Sequence, residues 1–296
     1  MGRVNKNRTF LCKNDTRVAA AAGSQSDPGI VFTKEGSVFI DTAQLLTDLL
    51  GMIAYAKERG PIKYLINTEA HIDHIFGNHW FAGVCPVVGH VKMLDSFFMV
   101  PHEPVDLGDG YDYSVDVLRR QDPEGLKLMP SRAEYIINKP QITFNDQMTL
   151  QVGDHHFHLF YTPGHSDCQS AVYVPEERVV FVGDTIFSGV QMWLHTADID
   201  ALINTLDFLA SLDVDWIVPG HGPVVTKDYI VKQKTLIYDW LATVGAGMSK
   251  GWSLDECIKQ ISFAERFPVD IGQAEMMEYI QKYNVVKCYN YLLNKK

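Results

Sequence analysis

The amino-acid sequence predicts an α/β protein, in which short strands alternate with longer helices. Three observations support this prediction. Short runs rich in β-branched and aromatic residues recur along the chain. Segments with apolar residues at helical spacing separate many of these runs. The 296 residues are 46% hydrophobic and 21% charged, which is typical of a globular protein with a sizeable core and excludes disorder for most of the chain.

The elements are expected in the following order along the first half of the chain. Residues 1–28 are polar and Ala-rich and are expected to form a loosely held leader or edge segment. Two strand-like runs around Gly36 predict a hairpin. Thr42 is expected to cap a helix that stops before Gly60 and Pro61, and residues 62–66 form the next predicted strand.

Residues 92–140 do not show a clear period. Prolines, glycines and aromatic residues are interspersed through this segment, which indicates an inserted loop or lid. Strand signals then return at several runs: 148–152, 155–161, 170–174, 179–182 and 216–218. A helix is predicted at 199–212.

The C-terminal residues 226–296 are predicted to be a helical extension that packs on the preceding domain, because their apolar residues follow a helical period. One apolar and aromatic group in this extension is a candidate homodimer contact: Met276, Met277, Tyr279, Ile280 and Tyr283. Simple cover for the domain is the alternative interpretation of the same helices.

The charge and cysteine content narrow the function classes. The chain has 26 Lys and Arg against 36 Asp and Glu, a net charge of −10, which disfavours non-specific nucleic-acid binding. Its five cysteines are dispersed, which fits reduced thiols in a cytoplasmic protein. No apolar run comes close to the length of about 18 residues that a membrane-spanning helix needs. We therefore expect a cytoplasmic protein with a small-molecule substrate and no nucleic-acid or membrane partner.

The densest group of reactive side chains directly follows the strand predicted at 62–66. Four candidate metal ligands fall within six positions: Glu69, His71, Asp73 and His74. Three more candidates lie where a predicted strand ends in a glycine-containing turn: His165, Asp184 and His221. Any one of them alone would be more typical of a turn residue or a helix cap. Together they supply the nitrogen and oxygen ligands that a catalytic divalent metal needs.

The order of these motifs resembles that of the metallo-β-lactamase-fold hydrolase superfamily, over about residues 29–225. The four motifs are Glu-x-His-x-Asp-His, Pro-Gly-His, Gly-Asp-Thr and Pro-Gly-His-Gly. The resemblance implies a four-layer αββα sandwich with two divalent metal ions at one edge. It assigns Glu69, His71 and His165 to the first metal and Asp73, His74 and His221 to the second. Asp184 would bridge both metals, and Asp41 matches the family's structural aspartate.

Glu69 stands where the family usually has a histidine. Two divalent ions, three carboxylates and one hydroxide give a net charge of about zero, whereas a histidine in place of Glu69 would give about +1. The metal-bound water that forms the hydroxide is therefore expected to be less acidic. Zinc is the expected metal, and the oxygen ligand makes manganese or iron an alternative. A second alternative places Glu69 outside the first site and leaves one metal on four residues: Asp73, His74, Asp184 and His221.

The segment after Asp184 contains the candidate substrate residues. In the superfamily this segment commonly lines the substrate pocket, so the resemblance assigns substrate contacts to Gln191, Trp193 and His195. His195 is also a candidate for proton transfer to the leaving group, and packing of this loop on the core is the alternative. Asp73 and Asp184 are assigned a catalytic role, because they would fix the metals and orient the hydroxide.

These observations predict a metal-dependent hydrolase. The expected substrates are small esters, lactones, thioesters or related compounds with an apolar or aromatic part. A metal-bound hydroxide, bridging two ions, would attack the substrate. Asp184 and His221 are only 37 positions apart, whereas nucleic-acid-processing branches of the superfamily carry a large insertion there. A hydrolytic dehalogenase of the same fold and a non-catalytic metal-holding binding or sensor protein remain the alternatives.

Overall fold

The computed structural model describes residues 18–20, 26–97, 110–266 and 277–295. Two six-stranded sheets form its centre. The first sheet has the strands in chain order: β1 (Val18–Ala20), β2 (Gly29–Thr33), β3 (Gly36–Ile40), β4 (Ile62–Ile66), β5 (Val87–His90) and β6 (Ile142–Phe144). The strands β1, β2 and β3 pair antiparallel, and β3 to β6 pair parallel.

The second sheet has the strand order β12-β11-β10-β9-β8-β7. Its strands are β7 (Gln147–Val152), β8 (His155–Tyr161), β9 (Ser170–Val174), β10 (Val179–Phe181), β11 (Trp216–Val218) and β12 (Val225–Thr226). The pair β10 and β11 is parallel, and the other described pairs of this sheet are antiparallel. The short strand β12 is not predicted from the sequence, because two residues carry no periodic signal.

Helices cover the outer face of each sheet. The helices on the side of the first sheet are α1 (Leu46–Lys57), α2 (Ile72–Ile75), α3 (Met93–Ser96), α4 (Gly110–Gln121) and α5 (Pro123–Leu126). The helices on the side of the second sheet are α6 (Ile199–Ser211), α7 (Tyr229–Ser249), α8 (Leu254–Gln260) and α9 (Met277–Asn294). Between the sheets, a third apolar cluster joins residues of both. The α/β class and the four-layer αββα sandwich are therefore confirmed.

Side chains that alternate between the two faces of a strand allow one strand to contribute to two apolar clusters. In β3, Val38 and Ile40 face the cluster between the sheets, and Phe39 faces the cluster beneath α1. All five residues of β3 are buried, so both faces of the strand need apolar side chains. This double burial is the reason why the strands appear in the sequence as nearly continuous apolar runs.

The predicted cap at Thr42 is wrong. The helix α1 begins at Leu46, and the Thr42 hydroxyl instead donates to the His74 carbonyl at 2.9 Å and accepts from the Gly77 N–H at 3.0 Å. The hydroxyl is therefore used to hold the chain around the first ligand motif. A carboxylate far along the sequence replaces it at the helix, because Asp122 Oδ2 accepts from the Thr47 N–H at 2.8 Å.

The segment 92–140 is more regular than an inserted loop. It contains the 12-residue helix α4, in which Val117 and Leu118 are fully buried. The sequence does not reveal this helix because α4 has few apolar residues and lies among prolines and glycines. Residues 98–109 lie outside the described part of the chain, and a lid function for the segment stays a prediction.

The C-terminal helices pack on each other and on the second sheet. Ile280 is 1% exposed, which contradicts its expected place in a dimer contact. Met276 lies outside the described residues, as does the side chain of Met277. A homodimer through the remaining surface of α9 stays a prediction. Within the described residues, no helix has both the length and the apolar character that a bilayer crossing requires.

Asp122 is expected to stabilise the fold by capping two helices at once. Its Oδ2 accepts from the Thr47 N–H of α1, and its Oδ1 accepts from the Gly125 N–H of α5 at 3.0 Å. We expect Asp122→Ala to lower the free energy of unfolding by about 2 kcal/mol, measured by urea denaturation. The exposed Asp116 of α4 provides the control, since Asp116→Ala should cost below about 0.5 kcal/mol. Equal effects of the two substitutions would contradict the double cap.

Candidate metal centre

The carboxylate of Asp41 organises the first ligand motif. Asp41 follows β3 in the left-handed region at φ 57°, a conformation that Asp tolerates better than most residues. It accepts hydrogen bonds from the Thr68 N–H at 2.7 Å and from the Thr68 hydroxyl at 2.6 Å. Its Oδ2 lies 3.0 Å from His74 Nδ1. Because this contact occupies Nδ1, His74 turns Nε2 toward the other candidate ligands.

Parallel strand pairs bring the ligand motifs to one edge of the sandwich. The residues after β3 and β4 are neighbours because Ile40 pairs with Ile66. The residues after β10 and β11 are neighbours for the same reason, since Phe181 pairs with Val218. In the second case the Gly220 N–H donates to the Gly183 carbonyl at 2.7 Å, which places His221 beside Asp184.

All seven predicted ligands meet at this edge as two adjacent groups. The first group contains Glu69, His71, His165 and Asp184, and the second contains Asp73, His74 and His221. Within each group, the potential ligand atoms lie within 4.8 Å of one another. The Nε2 atom of His221 also lies 3.3 Å from Asp73 Oδ2.

Asp184 turns one carboxylate oxygen to each group. Its Oδ2 lies 3.3 Å from Nε2 of His165 in the first group. Its Oδ1 lies 3.1 Å from Nε2 of His74 and 3.2 Å from Nε2 of His221 in the second group. This is the placement that a bridging carboxylate requires. The backbone N–H of Asp184 donates to Glu69 Oε1 at 3.2 Å, which also joins the first motif to the third.

Two residues before β2 hold this arrangement, and sequence reasoning missed both of them. The Ser26 hydroxyl lies 2.7 Å from the carbonyl oxygen of Asp73 and 3.2 Å from that of Thr42. The Asp27 N–H donates to the Gly220 carbonyl at 2.8 Å. Both residues are buried, although they fall within the segment expected to be loosely held. Their contacts are to distant backbone atoms, for which no local sequence signal exists.

The buried charges of the centre shift the pKa values of its side chains in opposite directions. Burial favours the neutral form of Asp184, but His221, His74 and His165 outweigh it and lower the pKa of this carboxyl well below its ordinary value. Burial also favours neutral His221, yet Asp184 and Asp73 raise the pKa of His221 to about 10. The pKa of His74 is raised against burial by Asp73, Asp184 and Glu69.

This donor set fits a divalent cation. Glu69 Oε2 lies 2.5 Å from His71 Nδ1 and 3.8 Å from His165 Nε2, and the two nitrogens lie 3.2 Å from each other. Three candidate ligand atoms of the first group are therefore close together. Three neighbouring carboxylates, of which those of Glu69 and Asp184 are buried, also need positive charge near them. The nitrogen and oxygen donors are those that bind zinc, manganese or iron.

The centre is open on one side. The side chains of His71 and Asp73 are 15% and 19% exposed, whereas the other five candidate ligands are at most 5% exposed. Solvent or a substrate therefore approaches the two groups from the side of the first motif.

Comparison with known proteins agrees with this geometry. A family model described as the metallo-beta-lactamase superfamily matches residues 25–221. This chain belongs to the metallo-β-lactamase superfamily. A solved metallo-beta-lactamase family protein from Thermus thermophilus aligns over 94% of both chains with a TM-score of 0.64 and 17% identity, and shows the same fold.

Two curated members of the superfamily have named activities. The human "Acyl-coenzyme A thioesterase MBLAC2" is 24% identical over 220 residues, which cover 68% of this chain and 74% of that protein. The "Hydroxyacylglutathione hydrolase" of Francisella tularensis subsp. novicida is 37% identical over 81 residues, 26% of this chain and 31% of that enzyme. This chain spans only 46% of the length of one further curated relative and 31% of the length of the Francisella enzyme. Hydrolysis is thus the activity that the superfamily membership supports.

The segment after the Gly-Asp-Thr motif lies beside the first ligand group. The rings of Trp193 and His195 are 4.4 Å apart, and the His195 ring lies 6.1 Å from His71 and 6.4 Å from His165. The centre of the Trp193 ring also lies 6.2 Å from that of Tyr279 of α9, and the two rings are nearly perpendicular. Tyr279, considered from the sequence as a dimer contact, therefore packs next to the candidate substrate residues.

Gln191 lies deeper than the other two candidate substrate residues. Its side chain is 1% exposed and accepts a hydrogen bond from Gln281 Nε2 of α9 at 2.8 Å. The structure thus places Gln191 in the contact between this loop and the C-terminal helix. A substrate contact by Gln191, Trp193 or His195 stays a prediction.

The backbone at Gly220 is expected to be essential for metal uptake. A Cβ atom at this position would overlap Asp184 Oδ1, so a side chain would displace the carboxylate that faces both groups. We expect Gly220→Ala to weaken metal binding by at least about tenfold, measured by titration of the metal-free protein. The control is Gly51→Ala on α1, where a Cβ would meet nothing within 4 Å. If Gly220→Ala binds metal like the parent, Asp184 does not depend on this close approach.

Metal binding is expected to release protons. The raised pKa values of His221, His74 and His71 favour the protonated imidazoles in the absence of metal, and a histidine must be neutral to bind a metal. Calorimetric titration in two buffers of different ionisation enthalpy should therefore detect net proton release at pH 7. Binding without proton release would contradict the charge assignment.

The same groups determine the sign of the pH dependence. Since the pKa of His221 in the metal-free fold lies above its value of about 6.5 in the unfolded chain, the proton stabilises the metal-free fold fully below about pH 6.5. This stabilisation is lost as the pH rises toward about 10. The difference in melting temperature between metal-loaded and metal-free protein should accordingly widen from pH 6 to pH 9, and a constant difference would contradict it.

Proposed function

We propose that this protein is a binuclear metal-dependent hydrolase that cleaves thioesters. The alignment with the human acyl-coenzyme A thioesterase is the observation that carries the proposal, because it extends over 68% of this chain. The hydroxyacylglutathione hydrolases add a second group of relatives, whose name gives an acyl derivative of glutathione as the substrate. The seven side chains at the edge of the sandwich supply the donors that such a hydrolase needs.

The two metals would be held as the two ligand groups suggest. Glu69, His71 and His165 would bind one ion, and Asp73, His74 and His221 the other, with Asp184 shared between them. When bound, such ions polarise the acyl oxygen and supply a nucleophile from water at neutral pH. Zinc, manganese and iron all remain compatible with this donor set.

The carboxylate of Glu69 favours a substrate with a good leaving group. A third carboxylate makes the centre less positive than one with a histidine at this position. Such a centre stabilises developing negative charge less strongly. A thiol leaving group, with a pKa of about 8.5, needs much less stabilisation than an alkoxide, whose parent alcohol is about as weakly acidic as water. The charge of the centre therefore supports a thioester over an alkyl ester.

The remaining side chains would position the substrate and handle protons. Asp41 keeps Nδ1 of His74 occupied, which orients the imidazole toward Asp73 and Asp184. Trp193 and His195 border the first ligand group and would offer aromatic surface to the acyl or thiol part of a substrate. His195 would hold a proton near the departing sulfur, since its ring lies close to His165 of the first group.

The substrate class can be tested with a matched pair of substrates. We expect metal-dependent hydrolysis of a thioester with a kcat/KM at least about tenfold above that of the oxygen ester with the same acyl group. A lactone, a β-lactam and a phosphodiester should be turned over more slowly still. Asp73→Ala should abolish activity, whereas Asp167→Ala, an exposed carboxylate near His165, should retain it. Preference for the oxygen ester would contradict the thioester assignment, and absence of metal-dependent turnover would favour a binding protein.

The metal content tests the role of Glu69. The parent is expected to hold close to two ions per chain, and Glu69→Ala about one, because Glu69 Oε2 lies closest to His71 and His165 of the first group. Elemental analysis of the purified proteins measures this directly, with the exposed Glu134→Ala as the control. Glu69→His should restore the second ion with a stronger zinc preference. A count that does not change in Glu69→Ala would remove Glu69 from the ligands.

A further inference from the structure

A single buried amide on α9 holds the backbone on both sides of Trp193. Asn284 is fully buried. Its Nδ2 donates to the Met192 carbonyl at 2.8 Å, and its Oδ1 accepts from the Leu194 N–H at 2.8 Å. The amide thus satisfies one acceptor and one donor of the same short segment. A residue 90 positions away in the sequence thereby fixes the peptide groups that flank Trp193.

The carbonyl of Trp193 in turn contacts a candidate metal ligand. Nδ1 of His165 lies 3.1 Å from the Trp193 carbonyl oxygen, so the neutral ring donates from Nδ1. The Nε2 atom is then left as the acceptor, and it lies 3.3 Å from Asp184 Oδ2 and 3.8 Å from Glu69 Oε2. The Thr196 hydroxyl donates to the His165 carbonyl at 2.7 Å and ties the same loop to the backbone of this residue.

We propose that Asn284 is a positioning residue of the metal centre. By fixing residues 192–194, it keeps the Trp193 carbonyl where it holds His165 in the Nδ1–H form, with Nε2 directed at the first ligand group. Hydrogen-bond partners of metal-binding histidines commonly raise metal affinity by about 10–100-fold through this control of ring orientation. The proposal rests on the metal centre proposed above and does not depend on the thioester substrate.

The contact pattern separates positioning from ordinary core packing. An apolar residue of similar size would fill the volume of Asn284 but would leave the Met192 carbonyl and the Leu194 N–H without this partner. The segment 192–194 would then shift, and His165 would lose a fixed acceptor at Nδ1. The side chains of His74 and His221 in the second ligand group instead contact Asp41, Asp73 and Asp184, so this group should keep its affinity.

Cobalt titration of Asn284→Leu tests the proposal. Binding of Co²⁺ to the metal-free protein is followed by visible absorption, and His165→Ala identifies which binding step belongs to the first group. In Asn284→Leu, the affinity of that step should fall about 10–100-fold while the other step stays within about twofold. In the His165→Ala background, adding Asn284→Leu should cause no further loss of Co²⁺ affinity. The control is Gln233→Leu on α7, which also removes a buried amide and should leave both steps unchanged.

Each other outcome contradicts a specific statement. If Asn284→Leu binds Co²⁺ like the parent, or weakens both steps equally, Asn284 acts only in folding. If Asn284→Leu does not fold, Asn284→Asp provides the second variant, because its carboxylate keeps the acceptor for the Leu194 N–H while the ionised form loses the donor to Met192. A folded Asn284→Asp with parental affinity would also overturn the proposal. Failure of the parent to bind Co²⁺ would instead contradict the metal centre itself.

Discussion

The structure depends on one electrostatic constraint: three carboxylates, of Glu69, Asp73 and Asp184, lie together at a largely buried edge of the sandwich. Without positive charge among them, this arrangement would be strongly unfavourable. The carboxylates raise the pKa values of three nearby imidazoles, those of His71, His74 and His221, and that of His221 rises to about 10. Divalent ions supply more positive charge. Their binding displaces the protons from the imidazoles, which then act as neutral ligands.

Much of the surrounding architecture keeps these groups in place. Parallel pairing of β3 with β4 and of β10 with β11 brings the ligand motifs to one edge. Asp41 and Gly220 then act at short range, since one orients His74 and the other leaves space for Asp184. More distant parts of the chain hold the ligand loops through backbone hydrogen bonds, as Ser26 does at Asp73. Independent elements of the fold thus converge on the edge that carries the candidate metal centre.

The sequence predicted the candidate ligands better than their supports. Reactive residue types recur at strand ends in a fixed order, so the seven candidate ligands, which the structure brings together, and most strands could be predicted from local patterns. Ser26, Thr42 and Asn284 act through contacts to backbone atoms far along the chain, and such contacts leave no periodic or compositional signal. The helix α4 was not predicted from the sequence, because only a few of its residues are buried and the flanking segments contain prolines and glycines.

Two metal ions are expected to flank Asp184, with Glu69 bound to one of them. A crystal structure of the metal-loaded protein, with anomalous scattering measured at the absorption edge of the bound metal, would show this arrangement directly. We predict two anomalous peaks, one on each side of the Asp184 carboxylate, with a Glu69 oxygen about 2.0–2.2 Å from one of them. A single peak within the group of Asp73, His74 and His221, with Glu69 outside bonding distance, would contradict the binuclear centre.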